Sequence, residues 1–583
     1  MIDPYRMVAF NIISLLVISL YLFIHIKIYP KKKINLFMLL FIISLLPLMS
    51  LMRKGTYESG DLTLHSVFLR SFYESLSEGN LIPRWAGNLC GDKGCPVFLF
   101  EYITPFYIGS IFHFLGFSLI DSIKALLAVS FIASGVGMYL FIKNELGEMP
   151  AFVSALSYLF APFHLQEMHF RVGIGMVLSF AFVPFLFLFS KKLVITSSIR
   201  YILLNALFFF LLITTHSTVT ILVLPLLFGY LFIFLINSKR KKIFPFFLLI
   251  VSIILGLGLS CFYWLPALKE IQYTWYLKDL IVNDFKPMQE YIFSPAFYGF
   301  LFQGHRGELR LIIGYPHLLI ILLALLFLIK KRLPVKEKIR IFYFLFSFAI
   351  FFLLLLKISK PFWNYVPFLK SSVLPWRVLM PISFITSYLS AIVVKNIKSK
   401  LCILFICIFV VASTILNWGN RKMIPEDPNA YNTHWSLYSE HYEQNDPLLR
   451  QNYINNIALA SSLVLKRPLF PLEIIKGNGL YKQLERTSTK HVYILKAETG
   501  IKIKENTFFF PGWKVFANYK EIPIVYNDPD NLGMITFKLK PGLYKIDAQF
   551  TDTPVRRIAK SISVFSTLLI GIYLLYHLLH KRT

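Results

Sequence analysis

A carboxylate and an imidazole follow directly on an apolar run near the start of the chain. Residues 45–72 read LLPLMSLMRKGTYESGDLTLHSVFLRSF, so the apolar stretch gives way to Asp61 and His65. On a continuing helix these side chains lie about one turn apart and face the same way. Ionisable groups at the edge of a membrane span are candidates for a functional site, with a solvated loop as the plain alternative. Arg84 and Glu101 lie further along the same polar segment.

A second short segment concentrates four ionisable side chains between two apolar runs. It reads APFHLQEMHFRVG and contains His164, Glu167, His169 and Arg171. The two histidines and the glutamate do not share one helical face, which disfavours a metal site built from these three together. Two interpretations remain open. The segment is either an interfacial cluster whose charged tips reach for water or an active-site wall that binds phosphate or orients a sugar.

Three further cationic side chains stand where apolar runs begin or end on the same predicted side. His216 lies in ITTHSTVTI, Arg377 in SVLPWRVLMP, and Arg306 in QGHRGELR. A guanidinium group forks onto phosphate oxygens, so an arginine at that depth suits an anionic lipid headgroup. Each has a plainer alternative. His216 could pack or cap a helix, Arg377 could be an interfacial anchor beside an aromatic-belt tryptophan, and the segment of Arg306 could be a solvated turn.

Several function classes find no support in the sequence. It contains no Walker A sequence, no dinucleotide-binding fingerprint, no HExxH and no GxSxG, so nothing indicates ATP use or serine hydrolysis. The formal net charge of +29 does not indicate nucleic-acid binding. Many of the basic residues fill short gaps between apolar runs, as cytoplasmic loops of membrane proteins do.

Composition predicts a polytopic α-helical membrane protein. Of 583 residues, 56% are hydrophobic and the mean hydropathy is +0.61, whereas soluble domains are roughly 45–50% apolar. Apolar runs and one-sided basic loops predict about thirteen spans, the first of them retained because it lacks a cleavage site. They are 8–29, 34–52, 122–142, 150–163, 172–190, 201–215, 217–236, 245–265, 312–329, 340–357, 375–394, 401–417 and 559–579.

This pattern places the N-terminus outside the cytoplasm and the C-terminal HKRT inside. The transmembrane module is then 1–417. Its outward segments are 53–121, 164–171, 266–311 and 358–374. Residues 105–118 are apolar but short, and we expect a helix that lies at the membrane interface.

The segment 418–557 is long enough to form an extracytoplasmic domain. Its polar start, SLYSEHYEQNDPLLRQNYINNIALASSLVL, predicts a helical lead-in. Near its end Ile535, Phe537 and Leu539 alternate before a Pro-Gly turn, and Tyr544 and Ile546 alternate after it, the pattern of a β-hairpin. FFFPGWKVFANYKEIPI predicts another strand-turn-strand unit. We expect a small β-sandwich tethered by a last helix and cytoplasmic tail, 558–583.

The five cysteines do not form a disulfide scaffold. Cys261, Cys402 and Cys407 fall in apolar runs and are expected to pack there. Cys90 and Cys95 share the outward NLCGDKGCP, where an oxidising compartment permits a disulfide, and the sequence leaves that bond open.

Several stretches together resemble the GT-C-type membrane glycosyltransferases. They are GDLTLH, LIPRW, GCPVFLFEYITPFY, SYLFAPFHLQEMHFRVGIGMVLSFAFVPFLFL, TTHSTVTI and VLPWRVLMP. Within that group the sequence is most similar to the membrane proteins labelled 6-pyruvoyl-tetrahydropterin synthase-related, and we infer no pterin chemistry from the label. The C-terminal FFFPGWKVFANYKEIPI and LKPGLYKI resemble the outward β-domain of YfhO-like membrane proteins.

The resemblance implies a sugar donor linked to polyprenyl phosphate and used on the outer face of a prokaryotic plasma membrane. Asp61 stands where such enzymes carry an acidic residue in the first outward loop. It would act as general base on an acceptor hydroxyl or orient it, either directly or through a divalent metal such as Mg²⁺ or Mn²⁺. His65 would support it, with Glu101 or Glu167 as second carboxylate. The donor phosphate would be held by cationic side chains, namely Arg171, Arg377, His164, Arg306, Arg84 and His216.

Two features depart from the family pattern. No pair of adjacent acids follows Asp61, and one extra helix precedes the helix that normally comes first. The predicted function is transfer of a sugar to an extracytoplasmic glycan, lipid or protein. The alternatives are a transporter or flippase for a lipid-linked saccharide and a non-catalytic envelope assembly protein. A scaffold has no reason to bring together residues as far apart in sequence as Asp61, Glu167, Arg171 and Arg377. A transporter would use the same cations without a base at Asp61 and would carry charges buried mid-span, whereas the ionisable groups here cluster at the outer boundary.

Overall fold

Helices form where apolar side chains continue for a membrane-spanning length, because a helix satisfies its own backbone N–H and C=O groups. A computed structural model of the chain describes residues 4–29, 32, 34–57, 59–236, 243–273, 285–293, 311–330, 333–366, 374–419, 423–426, 468–528, 530–531 and 533–580. Within these residues, eight helical segments are long and apolar enough to cross a membrane. They are Arg6–Ile28, Leu119–Leu146, Ile174–Thr196, Ser217–Leu235, Val335–Leu355, Pro375–Lys395, Lys400–Asn417 and Pro554–Leu575.

One bent pair of helices and three short helices are also apolar. Phe244–Leu259 and Cys261–Tyr273 are bent by 69° and make a ninth span if they count as one. The shorter apolar helices are Leu36–Leu48, Ile199–Thr215 and Tyr315–Lys330. The chain is therefore a membrane protein with helical spans, and the count of about thirteen stays a prediction.

The predicted span 150–163 shows why the count depends on more than hydropathy. Its helix is Glu148–Leu159, only 12 residues long, which is shorter than the roughly 20 residues that cross a bilayer. Ala161 precedes Pro162 and is extended, as expected for a residue before proline. The apolar run therefore breaks into two pieces.

The remaining helical elements are shorter or lie outside the apolar runs. They are Leu62–Ser77, Leu89–Asp92, Val97–Phe100, Thr104–Phe114, Pro162–Gln166, a π-helical turn Glu167–Arg171, Met288–Ile292, a 3₁₀ turn Lys357–Ser359 and Lys360–Tyr365. Thr104–Phe114 is a short helix within the predicted 105–118 region and exposes Ile111 and Phe114; its place at a membrane interface stays a prediction. The predicted helical lead-in lies outside the described residues.

The chain divides into two compact units. The first is Met1–His65, Ile111–Leu257 and Ile281–Glu426, and the second is Ser66–Ser110, Gly258–Leu280 and Asp427–Thr583. In the first unit Leu379–Lys395 is buried along nearly its whole length and packs on Glu148–Leu159. Ser154 on the shorter helix donates a hydrogen bond of 2.7 Å to the carbonyl of Ser387. Small polar side chains of this kind let membrane helices approach closely.

A buried charge cluster joins several helix ends of the first unit. Glu145 accepts hydrogen bonds from Lys191 and Tyr230 on Oε2, at 2.9 and 2.7 Å. Its Oε1 accepts from Tyr388 and Arg340, each at 2.8 Å. The basic ends of helices that are far apart in sequence therefore meet, as the one-sided basic loops predict.

The C-terminal sheets of the second unit are antiparallel throughout. The strands are β1 Leu472–Lys476, β2 Gly479–Arg486, β3 Lys490–Ala497, β4 Ile501–Phe508, β5 Trp513–Ala517, β6 Lys520–Ile522, β7 Met534–Leu539 and β8 Gly542–Phe550. One sheet has the order β1-β4-β7 and the other the order β2-β3-β8-β5-β6. Between the sheets, the buried Glu505 of β4 accepts hydrogen bonds from Arg486 of β2 and Tyr493 of β3, at 2.7 and 3.1 Å.

The two predicted strand pairs have different outcomes. β5 and β6 form the expected hairpin, with Asn518 and Tyr519 as its two-residue turn. The hairpin expected across Pro541 and Gly542 is wrong, because β7 pairs with β4 whereas β8 pairs with β3 and β5. Alternation of side chains reveals a strand but not its partner.

The last helix of the second unit, Pro554–His580, follows β8 after three residues. Its buried Arg556 donates to Glu270 at 2.7 Å, and Arg84 donates to Asp552 at 2.7 Å. Trp85 packs edge-on against Trp513 of β5. In the same region Cys90 and Cys95 are buried free thiols, so the structure contains no bond between them.

Candidate active site

Backbone hydrogen bonds hold Asp61 beside the second predicted segment. The N–H of Gly60 donates to the carbonyl of Phe170 and that of Asp61 donates to the carbonyl of Arg171, both at 2.8 Å. A Cβ atom at position 60 would lie 3.1 Å from the carbonyl oxygen of Arg171. The glycine therefore lets the two backbones approach, which fixes where the Asp61 carboxylate projects from the start of Leu62–Ser77.

The buried Lys124 anchors the chain that leads to Asp61. Its ammonium group donates to the carbonyls of Arg53 and Gly55 and to Asp121, the first at 2.9 Å. Thr56 then exchanges two backbone hydrogen bonds with Ile424, at 2.8 and 2.7 Å. A charged side chain inside a bilayer-spanning helix is costly unless it is paired, and Lys124 finds its partners in this segment.

The segment that carries Arg171 has an irregular backbone. Pro162–Gln166 continues into the π-helical turn Glu167–Arg171, which ends at Val172 in the left-handed region with φ of 61°. A β-branched residue rarely adopts that conformation, and such strain is concentrated at functional sites. The turn directs Glu167 and Arg171 toward the same place before Ile174–Thr196 begins.

The guanidinium group of Arg171 lies between two carboxylates. Its Nε is 3.5 Å from Oδ2 of Asp61, and its Nη1 is 3.5 Å from Oε1 of Glu167. Both contacts are longer than the roughly 2.8 Å of a tight charge-assisted hydrogen bond. The side chains of Arg171 and Asp61 are 27% and 28% exposed, whereas that of Glu167 is 0% exposed.

The guanidinium group of Arg171 packs against the face of the Trp376 indole. The guanidinium carbon lies 4.3 Å from the ring centroid, within the range of a cation–π interaction. Trp376 in turn packs on Phe163 of Pro162–Gln166. The tryptophan of VLPWRVLMP therefore orients Arg171 rather than serving only as an interfacial anchor.

Burial controls the charge of Glu167. It raises the pKa of this carboxyl to about 7, with the charge of Asp61 adding to the rise and Arg171 and Arg377 opposing it. Its Oε2 is buried without a hydrogen-bond partner among the described residues. A Cβ at Gly173 would lie 2.2 Å from that oxygen, so the carboxyl fits only because residue 173 has no side chain.

Two further predicted residues respond to the charges of this cluster. Burial lowers the pKa of His65 to about 4, with Asp61 raising it and Arg171 lowering it. Burial lowers the pKa of His216 well below its ordinary value, and the charges of Arg377 and Arg171 lower it further. The first unit thus brings together Asp61, His65, Glu167, Arg171, His216 and Arg377, which we call the acid–arginine cluster.

The other histidines of the second predicted segment point elsewhere. His164 stacks on Phe180 with ring centroids 4.0 Å apart and Nδ1 3.1 Å from the carbonyl of Tyr158. His169 lies 3.5 Å from the hydroxyl of Ser50. Burial lowers the pKa of both imidazoles to about 3, which leaves them neutral and poorly suited to holding an anion.

Three predicted site residues lie outside the first unit or outside the described part of the chain. Arg84 and Glu101 belong to the second unit. There Arg84 donates hydrogen bonds to Asp552 and to the carbonyl of Phe262, at 2.7 and 3.4 Å. Arg306 lies outside the described residues.

The charges of the acid–arginine cluster disfavour a divalent ion between its two carboxylates. Asp61 and Glu167 both face the guanidinium of Arg171, which supplies positive charge where a metal would have to bind. Within the described ranges, no three His, Cys, Asp or Glu side chains are grouped to hold a metal ion. The Mg²⁺ or Mn²⁺ considered from the sequence stays a prediction.

Sequence reasoning missed the residues that support the cluster. Lys124 is a lysine within an apolar run, and an ionisable side chain at such a position is usually paired or functional. Gly173 and the stacking role of Trp376 had no such signal, because both depend on which side chains fold against them.

A comparison with protein-family models matches residues 100–423 to the family described as "6-pyruvoyl-tetrahydropterin synthase related domain; membrane protein". The chain belongs to this family. The match covers more than half of the chain and confirms the family predicted from the sequence motifs. It includes Glu167, Arg171 and Arg377, whereas Asp61 and His65 precede the matched range. A comparison with curated proteins gives no match.

Solved structures that are similar to this family member include three proteins. The arabinofuranosyltransferase AftD from Mycobacteria is 13% identical, with a TM-score of 0.41 over 71% of this chain and 29% of that chain. The oligosaccharyltransferase AglB from Archaeoglobus fulgidus, in complex with an inhibitory peptide and a dolichol-phosphate, is 13% identical, with a TM-score of 0.42 over 74% and 62%. ArnT from Cupriavidus metallidurans, bound to undecaprenyl phosphate, is 12% identical, with a TM-score of 0.32 over 62% and 77%.

This chain spans about a third of the length of the AftD chains that it matches, 29% and 33%. Identities and TM-scores this low assign neither an activity nor a substrate to it.

Proposed function

We propose that this protein is a membrane glycosyltransferase that moves a sugar from a polyprenyl-phosphate carrier to an extracytoplasmic acceptor. One observation carries the proposal. An accessible carboxylate, Asp61, stands 3.5 Å from a guanidinium, Arg171, with the buried Glu167 at 3.5 Å behind it. Sugar transfer from a phosphate donor needs this combination, since a hydroxyl must lose a proton while a phosphate gains negative charge.

In the proposed reaction the acceptor oxygen bonds to the anomeric carbon of the donor sugar. The bond between that carbon and the phosphate oxygen breaks, and polyprenyl phosphate leaves with the electron pair. Asp61 takes the proton of the acceptor hydroxyl, because an alcohol is a poor nucleophile until a base accepts that proton. Arg377 and Arg171 meet the negative charge that develops on the leaving phosphate, which stabilises the transition state.

The roles of the other cluster residues follow from their burial. Glu167 touches Arg171 but is not accessible to an acceptor, so we assign it to positioning that guanidinium. Trp376 fixes the plane of the same group from one face. The contacts of Arg171 with Asp61 and Glu167 are long, at 3.5 Å each. A donor phosphate can therefore replace these carboxylates as the partner of Arg171 when it binds, and they can return when it leaves.

The proposal places the cluster on the outer side of a prokaryotic plasma membrane, with the N-terminus outside and the C-terminus in the cytoplasm. It retains the division into a transmembrane module 1–417, an outward domain 418–557 and a final helix and tail 558–583. The acceptor is a glycan, a lipid or a protein. A transporter would need the cations but not an accessible carboxylate beside them.

The test uses the full-length protein in nanodiscs with radiolabelled polyprenyl-phosphate hexoses and an envelope extract as acceptor. We expect label to enter the acceptor as polyprenyl phosphate appears in equal amount. Replacing Arg377 by Gln should weaken donor binding about tenfold, the loss of one charged phosphate contact. Donor that binds to wild-type protein but is never consumed would instead indicate a transporter, and absence of donor binding would indicate an assembly protein.

A further inference from the structure

The exposed face of the five-stranded sheet carries lysine and leucine in alternating positions. Register places Leu480 of β2, Lys496 of β3 and Leu543 of β8 in one row across three strands. The next row on the same face is Lys482, Ile494 and Lys545. Leu480 is 71% exposed and Leu543 is 66% exposed. We call these six residues, together with Tyr519, the lysine–leucine face.

The lysines of this face differ from most others on the strands. Lys490, Lys502, Lys504 and Lys514 each form an ion pair with an acidic side chain of the same domain, at 2.6–2.7 Å. Among the described residues, Lys482, Lys496 and Lys545 have no acidic partner within ion-pair distance. Three positive charges therefore stand unneutralised among exposed apolar side chains.

Tyr519 extends this face at the tip of the β5–β6 hairpin. Asn518 and Tyr519 have φ of 48° and 68°, as a two-residue type I′ turn requires, and glycine is the usual second residue there. The Tyr519 side chain is 86% exposed, and the ammonium of Lys545 lies 5.7 Å from its ring centroid. Folding does not require an exposed aromatic side chain at this strained position, so Tyr519 is a candidate for a binding role.

We propose that the lysine–leucine face binds an anionic glycan chain, meaning a sugar polymer that carries phosphate or carboxylate groups. The lysines pair with its anionic groups, and the leucines and Tyr519 pack on the apolar faces of its sugar rings. Lys482 and Lys545 lie two strands apart, or about 10 Å, so they reach anionic groups on separate units of an extended chain. This inference goes beyond the proposed transfer reaction and does not rest on it.

The position of the face along β8 favours a polymer over the bilayer that holds the protein. β8 ends at Phe550, and three residues separate it from Pro554, where the last span begins. Lys545 lies five residues back along the strand, about 17 Å at roughly 3.4 Å per residue. Leu543 lies further still from the membrane helix.

Binding is measured by interferometry on full-length protein in phosphatidylcholine nanodiscs, with no sugar donor present. The probes are dextran phosphate, neutral dextran of the same length and inorganic polyphosphate. We expect dextran phosphate to bind most tightly, and its affinity to fall as salt screens the exposed charges. Replacing Lys482, Lys496 and Lys545 together by Gln should weaken its binding by about tenfold, as expected for three exposed ion pairs.

A matched variant removes the same charge from the other sheet. Lys476, Lys538 and Lys540 lie on or beside β1 and β7 of the three-stranded sheet, and replacing them by Gln should leave the affinity nearly unchanged. Tyr519→Gly separates binding from folding. It should relieve the turn and raise the thermal midpoint while weakening dextran phosphate binding roughly fivefold, and it should leave polyphosphate binding unaltered.

Three results would overturn the inference. They are an equal loss of affinity in both triple variants, binding of neutral dextran as tight as that of dextran phosphate, and no binding of dextran phosphate at all. If the lysine-face variant alters only association with phosphatidylglycerol liposomes, the face meets lipid and the glycan proposal fails. None of these outcomes depends on whether the protein transfers sugar.

Discussion

The backbone N–H of Asp61 donates a 2.8 Å hydrogen bond to the carbonyl of Arg171, and the two side chains lie 3.5 Å apart. One backbone contact thus joins the start of Leu62–Ser77 to the π-helical turn Glu167–Arg171. The carboxylate and the guanidinium are held by main chain as well as by their mutual attraction. Substitution of either side chain should therefore change chemistry more than it changes structure.

Gly173→Ala tests whether the space for the Glu167 carboxyl matters. The new Cβ would lie 2.2 Å from Oε2 of Glu167, and overpacking of this kind costs about 1–3 kcal/mol. We expect a lower thermal midpoint and a loss of transfer activity. Gly500→Ala is the control, because nothing lies within 4 Å of a Cβ there. Equal effects of the two substitutions would show that the Glu167 carboxyl is not confined as described.

Glu167 should make the folded state less stable as pH rises. Its folded pKa is about 7 against an ordinary value of 4.5, so the folded protein holds a proton that the unfolded chain has already released. Stability is then highest below about pH 4.5 and falls as pH rises to about 7, by about 3 kcal/mol in total. Thermal midpoints of wild type and Glu167→Gln, measured from pH 5 to 8, should converge at low pH and separate at high pH. Parallel curves would contradict the raised pKa.

Glu145 should be among the most sensitive positions for folding. It is 3% exposed and joins Lys191, Arg340 and two tyrosines. Glu145→Ala leaves the buried Lys191 and the partly buried Arg340 without this partner and should cost about 3–5 kcal/mol. Glu148→Ala is a control three residues away, since its carboxylate is 62% exposed and pairs with Lys143 at the surface; the expected loss is below about 1 kcal/mol. Denaturation in lipid nanodiscs compares the two.

Arg84 should act on structure rather than on donor binding. It is buried and donates to Asp552 at 2.7 Å within the second unit. Arg84→Met should cost about 3 kcal/mol of stability with an unchanged donor dissociation constant. The same change at Arg70, whose ion pair with Glu74 is exposed, should cost little. If Arg84→Met weakens donor binding while stability is retained, Arg84 belongs with the phosphate ligands, as the sequence suggested.

The sequence was most informative where one physical rule acts over a long stretch. Length and hydropathy located helices such as Leu119–Leu146 and Ile174–Thr196, and clustered ionisable residues pointed to Asp61, Glu167 and Arg171. It was least informative where the outcome depends on partners. Alternation identified β7 and β8 but paired them wrongly. Nothing local distinguishes His164, which stacks on Phe180, from a histidine that lines a site.

The support around the cluster also lay beyond sequence reasoning. Lys124 donates to the carbonyls of residues 53 and 55. Trp376 packs against the guanidinium group of Arg171, which is about 200 residues away in sequence. Such contacts exist only after helices far apart in sequence have packed. They explain why the residue types of the acid–arginine cluster could be predicted while its geometry could not.

The most direct test compares wild type, Asp61→Asn and Asp530→Asn in single-turnover transfer from a radiolabelled polyprenyl-phosphate sugar. Asp530 is an exposed carboxylate of the β-domain and controls for the same chemical change. We predict that Asp61→Asn lowers the transfer rate by about 10²–10⁴, the usual contribution of a general base, while the donor dissociation constant stays within about twofold. A transfer rate for Asp61→Asn equal to that of wild type would show that Asp61 is not the base.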